Sequence, residues 1–193
     1  MTLLVLGHGA GGGPDAADLA LLARRLPAQG VTVARFEQPW RLAGRKVAVR
    51  PPLLDEAWLT AVPWLAARVG PGLPLATGGR SAGARVTCRT ADALGARAVV
   101  CLAFPLHLPG RAERTRAPEL LAPDVPRLVL QGSRDTFGDP EEVRAAVAGD
   151  GGVRVVDLPG ADHGFRLLKA STWTPADLRE RLVEEVGSFL RRE

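Results

Sequence analysis

Thr77-Gly78-Gly79-Arg80-Ser81-Ala82-Gly83-Ala84-Arg85 carries the pattern G-x-S-x-G between an apolar run, Leu73 to Ala76, and a helix-compatible segment, Ala82 to Leu94. At a strand-to-helix turn this spacing has a physical reason. The serine is held in a strained backbone conformation that lifts its hydroxyl clear of the sheet. Glycines two before and two after it remove side chains that would collide as strand and helix approach. The helix N-terminus then aims its dipole and free N–H groups at the reacting oxygen. The chain has 22 Gly, so the motif alone does not decide the matter. A glycine-rich turn whose serine caps a helix would read the same.

The flanking chain supplies the context. Leu3-Leu4-Val5-Leu6 is a continuous apolar run, as expected of a strand buried on both faces. It ends in Gly7-His8-Gly9-Ala10-Gly11-Gly12-Gly13, and Pro14 and Asp15 then open an amphipathic helix to about Leu26. A strand follows at Val31–Phe36, then a long loop through Gln38-Pro39-Trp40, Gly44-Arg45-Lys46 and Pro51-Pro52. Leu53 to Val69 reads as a helix that Pro63 should kink or split. Further strands are predicted over Ala98–Ala103, Leu128–Leu130 and Val153–Val156, with a short helix over Pro140–Val147. Thr174-Pro175-Ala176-Asp177 caps a last helix, whose Leu178, Leu182, Val186 and Phe189 share one face. Short apolar strands alternating with helices predict an α/β fold with a mainly parallel sheet of about six strands. No linker or repeat divides residues 1–193, so one domain is expected.

Composition narrows the function classes. The chain has 193 residues, 46% of them hydrophobic, enough for a well-buried core. The net charge of +4 raises nucleic acid as a partner. The excess is scattered arginine, with Lys46 and Lys169 the only lysines, and no dense basic run exists, so no nucleic-acid partner is expected. Cys88 and Cys101 fit no metal pattern and read as buried, reduced thiols, which suits a reducing compartment. Met1 to Leu6 lacks a charged leader and reaches glycine after six residues. No apolar run is of membrane-spanning length. A soluble cytoplasmic protein, monomer or homodimer, is expected, with no membrane partner.

In open parallel sheets, reactive groups collect beyond the carboxyl ends of the strands. Four polar groupings fall there: the glycine-rich loop from Gly7, Ser81, Asp135 and His163. Their order, Ser…Asp…His, is that of α/β-hydrolases. In that reading Ser81 attacks an acyl carbonyl, His163 moves the proton, and Asp135 fixes the imidazole's tautomer. The Ala82 N–H and a backbone N–H from Gly9-Ala10-Gly11 would form the oxyanion hole, each typically worth ~3 kcal/mol. The competing readings are plain. A post-strand Asp135 also suits a turn or cap. Asp139, before Pro140, looks like a helix cap, and Asp162 adjoins His163 too closely to reach its Nδ1. His8 reads as part of the oxyanion loop's structure. Trp40, Arg80 and His107 are the candidates for substrate binding, although solvated or structural roles suit Arg80 and Arg85, and a turn cap suits His107. This chemistry needs no metal and no organic cofactor.

The set G-H-G-A-G-G-G at 7–13, G-G-R-S-A-G-A-R at 78–85, F-P-L-H-L-P-G at 104–110, Q-G-S-R-D at 131–135 and A-D-H-G-F at 161–165 resembles the small testis-expressed-thirty-like α/β-hydrolases, kin to dienelactone hydrolases. The loop from Gln38 to Arg45 resembles that group too. The resemblance covers nearly the whole chain. It implies a three-layer α/β-hydrolase fold trimmed at its N-terminus, with Leu3–Leu6 matching the third strand of the full fold. It also implies a minimal cap, confined to residues 105–126. It implies a serine hydrolase, an esterase or thioesterase acting on a small or medium acyl substrate. Ser81 departs from the cysteine nucleophile of dienelactone hydrolases, so dienelactone is not the implied substrate. One relative in the family is a subunit of a chromatin-modifying complex and looks like a scaffold. The alternative implied is therefore a non-catalytic interaction protein of the same fold.

Overall fold

The computed structural model describes residues 1–45 and 48–193. Among them lies one six-stranded sheet of order β2-β1-β3-β4-β5-β6. The strands are β1 Thr2–Gly7, β2 Val31–Phe36, β3 Leu75–Arg80, β4 Ala98–Leu102, β5 Arg127–Gly132 and β6 Val153–Leu158. Every neighbouring pair is parallel. The mainly parallel sheet expected from the apolar runs is therefore wholly parallel among the described residues. From β1 the chain first steps outward to β2 and then crosses to β3 on the other side. That reversal opens a crevice beyond the carboxyl ends of β1 and β3, where such sheets bind ligands.

Helices cover both faces, giving three layers. Alternation along each strand decides which residue meets which layer. Leu4 and Leu6 of β1 pack with Leu19 and Leu22 of α1 (Ala17–Arg25) and with Leu182 and Val186 of α7 (Pro175–Arg192). Leu3 and Val5 face the opposite layer, with Trp58 and Val62 of the long helix Pro51–Val69 and Val86 of the helix Ala82–Thr90. In chain order these two are α3 and α4, because Pro39–Leu42 forms a short α2. Cys88 and Cys101 are free, buried thiols with sulfurs 3.5 Å apart. Their contact and their burial push the Cys101 thiol well up, so it stays protonated.

Several element boundaries differ from those expected. β3 continues through Gly78 and Gly79 to Arg80, where composition suggests a turn. Its ladder bonds to β1 and β4 override the weak strand propensity of glycine. α1 begins at Ala17 rather than Pro14, since Asp15 pairs with Arg35 instead of capping it. α3 begins at Pro51, because prolines suit a first turn whose N–H groups need no acceptor, and it runs unbroken through Pro63. The loop expected through Gly44-Arg45-Lys46 is described only to Arg45; Lys46 lies outside the described residues. The segment between β4 and β5 carries one short helix, α5 Ala117–Leu121, consistent with a minimal cap. α6 is Pro140–Ala146. No described helix is long and apolar enough to cross a membrane.

Candidate active site

Ser81 stands between the end of β3 and the start of α4, with φ 51° and ψ −108°. A left-handed φ is disfavoured for any residue with a Cβ, so the neighbours must hold it there. The Ser81 amide donates to the Leu102 carbonyl of β4 at 2.9 Å, and its carbonyl accepts from the Arg85 amide at 3.2 Å. The two motif glycines permit the close approach. A Cβ on Gly79 would lie 2.6 Å from the Gly83 carbonyl carbon and 2.7 Å from the Gly7 oxygen. One on Gly83 would overlap the Gly7 carbonyl outright.

His163 follows β6, and Asp135 follows β5. Their side chains meet Ser81 in one chain of hydrogen bonds. His163 Nε2 is 3.0 Å from Ser81 Oγ, and Nδ1 is 2.8 Å from Asp135 Oδ2. A carboxylate only accepts, so Nδ1 carries the proton and Nε2 faces the serine as an acceptor. Asp135 is 3% exposed. It also accepts from the Phe137 amide at 2.9 Å and from Gln131 Nε2 at 3.0 Å, so this buried carboxylate has three donors. The Phe137 ring lies against the imidazole, with centroids 4.3 Å apart. Asp162 Oδ1 accepts from the amides of Gly164 and Arg166 at 2.7 and 2.9 Å, so it shapes the histidine's turn and does not pair with the ring. Asp139 caps α6 in a capping box with Glu142.

The site opens on a cleft of about 670 Å³ lined by Gly9, Ala10 and Gly11 on one side and by Ser81 and His163 on another. Ala82 is the first residue of α4, so its amide has no intrahelical acceptor. The glycine loop is anchored from below. His8 is fully buried, and burial pushes its imidazole down, so it is neutral. Its Nδ1–H donates to the Gly9 carbonyl at 2.8 Å, and its Nε2 accepts the Gln38 amide at 3.0 Å.

The three candidate substrate contacts part company. Arg80 does line the cleft, but its guanidinium is engaged. It pairs with the Asp18 carboxylate of α1, donates to the His163 carbonyl, and lies 4.9 Å from the centroid of the Phe165 ring. Trp40 does not reach the cleft. It is 2% exposed and packs edge-on against His8, because the α2 turn folds it under the glycine loop. His107 is also absent from the cleft's lining. Its amide donates to the Phe137 carbonyl, its Nδ1 lies 2.9 Å from the Leu108 carbonyl, and its Nε2 lies 3.4 Å from Glu142. Arg85 is structural: it grips Glu119 of α5 through two bonds of 2.8 and 2.6 Å, and Arg89 joins Glu119 to Asp55 of α3. Burial pushes the Glu119 carboxyl up, but the two arginines outweigh it and hold the carboxyl below its ordinary range. Sequence reasoning missed Asp18. An acid beside Leu19 and Leu22 on a buried helix face requires a cation, and that was the available signal.

A serine elbow crossing the switch point of a parallel sheet is the organisation of the α/β-hydrolase fold, and the class of this protein follows from it. The chain belongs to the alpha/beta hydrolase domain family, whose profile matches residues 1–191. Curated protein sequences give no match. Solved structures do. A Xanthomonas campestris α/β serine hydrolase described as lacking a lid shares 24% identity, covering 97% of this chain and 82% of its own, with a TM-score of 0.72. A Coxiella burnetii α/β serine hydrolase homologue shares 20% identity over 96% and 85%, with a TM-score of 0.74. Est1E from Butyrivibrio proteoclasticus, solved with ferulic acid, shares 16% identity over 100% and 89%, with a TM-score of 0.75. At these identities the likeness is one of fold.

Proposed function

We propose that this protein is a serine hydrolase that cleaves a carboxylic ester or thioester of a small or medium acyl group. The observation that carries the reading is the bonded chain Ser81 Oγ–His163–Asp135, which opens on the cleft at the start of α4. Ser81 Oγ attacks the acyl carbon while His163 Nε2 takes the hydroxyl proton. The carbonyl oxygen becomes an oxyanion, held by the Ala82 amide and an amide of Gly9-Ala10-Gly11. Collapse breaks the bond to the leaving oxygen or sulfur, which receives the proton from His163. Water then attacks the acyl-serine, giving its proton to Nε2. The second collapse releases the acid and returns the proton to Ser81.

The engaged state of Arg80 and Asp135 supports this assignment, since Arg80 holds the backbone carbonyl of His163 and Asp135 holds its imidazole. Fold neighbours described as esterases point the same way. Within the family, we read the motif set from Gly7 to Phe165 as a resemblance to the testis-expressed-thirty-like group. Labelling with a fluorophosphonate probe and peptide mass spectrometry test the reading. Modification at Ser81 that His163→Ala abolishes is the expected result. Folded protein that takes up no label would overturn it.

A further inference from the structure

The cleft does not stop at Ser81. It continues past the Arg80–Asp18 pair into a limb between α1 and α7, which pack together on one face of the sheet. Ala17 and Leu21 line it from α1, and Pro175, Leu178, Arg179 and Leu182 line it from α7. These positions recur at helical spacing, so one face of each helix forms a wall. Along α7, Pro175 to Leu182 spans roughly 10 Å at the helical rise. Leu21, Leu178 and Leu182 are buried among neighbours yet form the floor, so the floor is apolar and already packed. The rim differs. Arg166, whose side chain runs beside Gly164, and Arg179 both border the cleft, and among the described residues neither has a carboxylate within ion-pair distance.

We infer that this limb is the acyl subsite and that it takes an apolar arm bearing an anionic group, the arm lying on Leu21, Leu178 and Leu182 and the anion meeting Arg166 and Arg179. The inference rests on the hydrolase reading above. The acyl half is what becomes bonded to Ser81 in the first chemical step and stays so until the second releases it. A limb continuous with that serine is therefore placed to retain it. The arginines already paired, Arg80 with Asp18 and Arg85 with Glu119, are not available for this role.

The test compares kcat/KM for p-nitrophenyl acetate, p-nitrophenyl hexanoate and mono-p-nitrophenyl adipate. Hexanoate extends the acyl group with an apolar arm, and adipate ends the same arm in a carboxylate. Hexanoate is expected to exceed acetate by about tenfold or more, from burial of the added methylenes. Adipate is expected to exceed hexanoate by about fivefold, the scale of two solvated charge contacts. Added salt should shrink the adipate advantage in the unaltered protein, which needs no variant. The adipate-to-hexanoate ratio should fall toward one in Arg166→Gln/Arg179→Gln. The hexanoate-to-acetate ratio should fall in Ala17→Trp, which fills the limb from an exposed position. Ratios within one variant cancel any general loss of activity. Turnover of acetate with no gain for hexanoate, or with adipate no better than hexanoate, overturns the inference and leaves the hydrolase reading standing. Failure to cleave any of the three, together with no fluorophosphonate labelling, overturns both.

Discussion

The guanidinium of Arg80 donates to the backbone carbonyl of His163, and the same group is anchored by the buried carboxylate of Asp18. Arg80 immediately precedes Ser81 in the chain. One side chain thus ties the serine's strand to the histidine's turn and to the cleft wall on α1.

Arg80→Met should therefore lower kcat by ten- to a hundredfold, the scale on which small misplacements of a reacting group act, with KM for a short ester changed much less. Arg80→Lys should recover only part of the loss, because an ammonium cannot serve both acceptors in one plane. Steady-state kinetics on p-nitrophenyl acetate check this. A fall in kcat/KM through KM alone would show that Arg80 binds substrate instead.

Asp135→Asn should reduce turnover by about 10³- to 10⁴-fold while leaving the thermal midpoint close to that of the parent. An amide at this position can turn its NH₂ toward Nδ1, which would move the proton to Nε2 and remove the acceptor that faces Ser81 Oγ. Turnover and circular dichroism melting, measured on the same preparation, separate loss of chemistry from loss of fold.

Gly83→Ala should destabilise the protein by roughly 3 kcal/mol, since the new methyl would occupy the space of the Gly7 carbonyl and both neighbours are backbone. The urea midpoint should fall without a change in slope. Fluorophosphonate labelling of the remaining folded protein should slow as well, because the displaced strand and helix carry Ser81.

Two groups predict how stability responds to acid, and both act in the same direction. The His8 imidazole is depressed by burial, so the unfolded chain takes up its proton first. The stability His8 contributes is present above the ordinary value of 6.5 and declines as pH falls from there toward the folded value. Glu119 is also depressed, and the stability it contributes is present above 4.5 and is lost as pH falls below it. Urea titrations across pH should show decline beginning near 6.5 and continuing below 4.5. Glu119→Gln should flatten the lower part, at a cost of about 2 kcal/mol at neutral pH for a part-buried pair. A decline confined to the lower range would remove His8 from the account.

The sheet was legible because buried parallel strands read as unbroken apolar runs, and the meeting of Ser81, Asp135 and His163 could be expected because each follows one within a few residues. What stayed hidden depends on distance along the chain. Asp18 and Arg80 are 62 residues apart, and neither position announces the other. Trp40, beside proline in a polar stretch, gives the appearance of an exposed aromatic, yet a four-residue helical turn buries it against His8. The strand through Gly78-Gly79-Arg80 looks like a turn because its regularity comes from the ladders on either side and not from its own residues. The α1–α7 limb belongs to segments more than 150 positions apart, so no local pattern could reveal it.

That last separation bears on how the protein is made. A ribosome-bound chain that has emerged only through β6 holds the Ser81 elbow and all six strands. It lacks His163 and α7, however, and leaves Leu19 and Leu22 of α1 without the helix that completes their layer. Such long-range closure is slow, and the face left open is sticky while it lasts. The growing polypeptide therefore keeps that face of α1 open until α7 docks. The same event that covers the exposed leucines also builds the wall of the cleft.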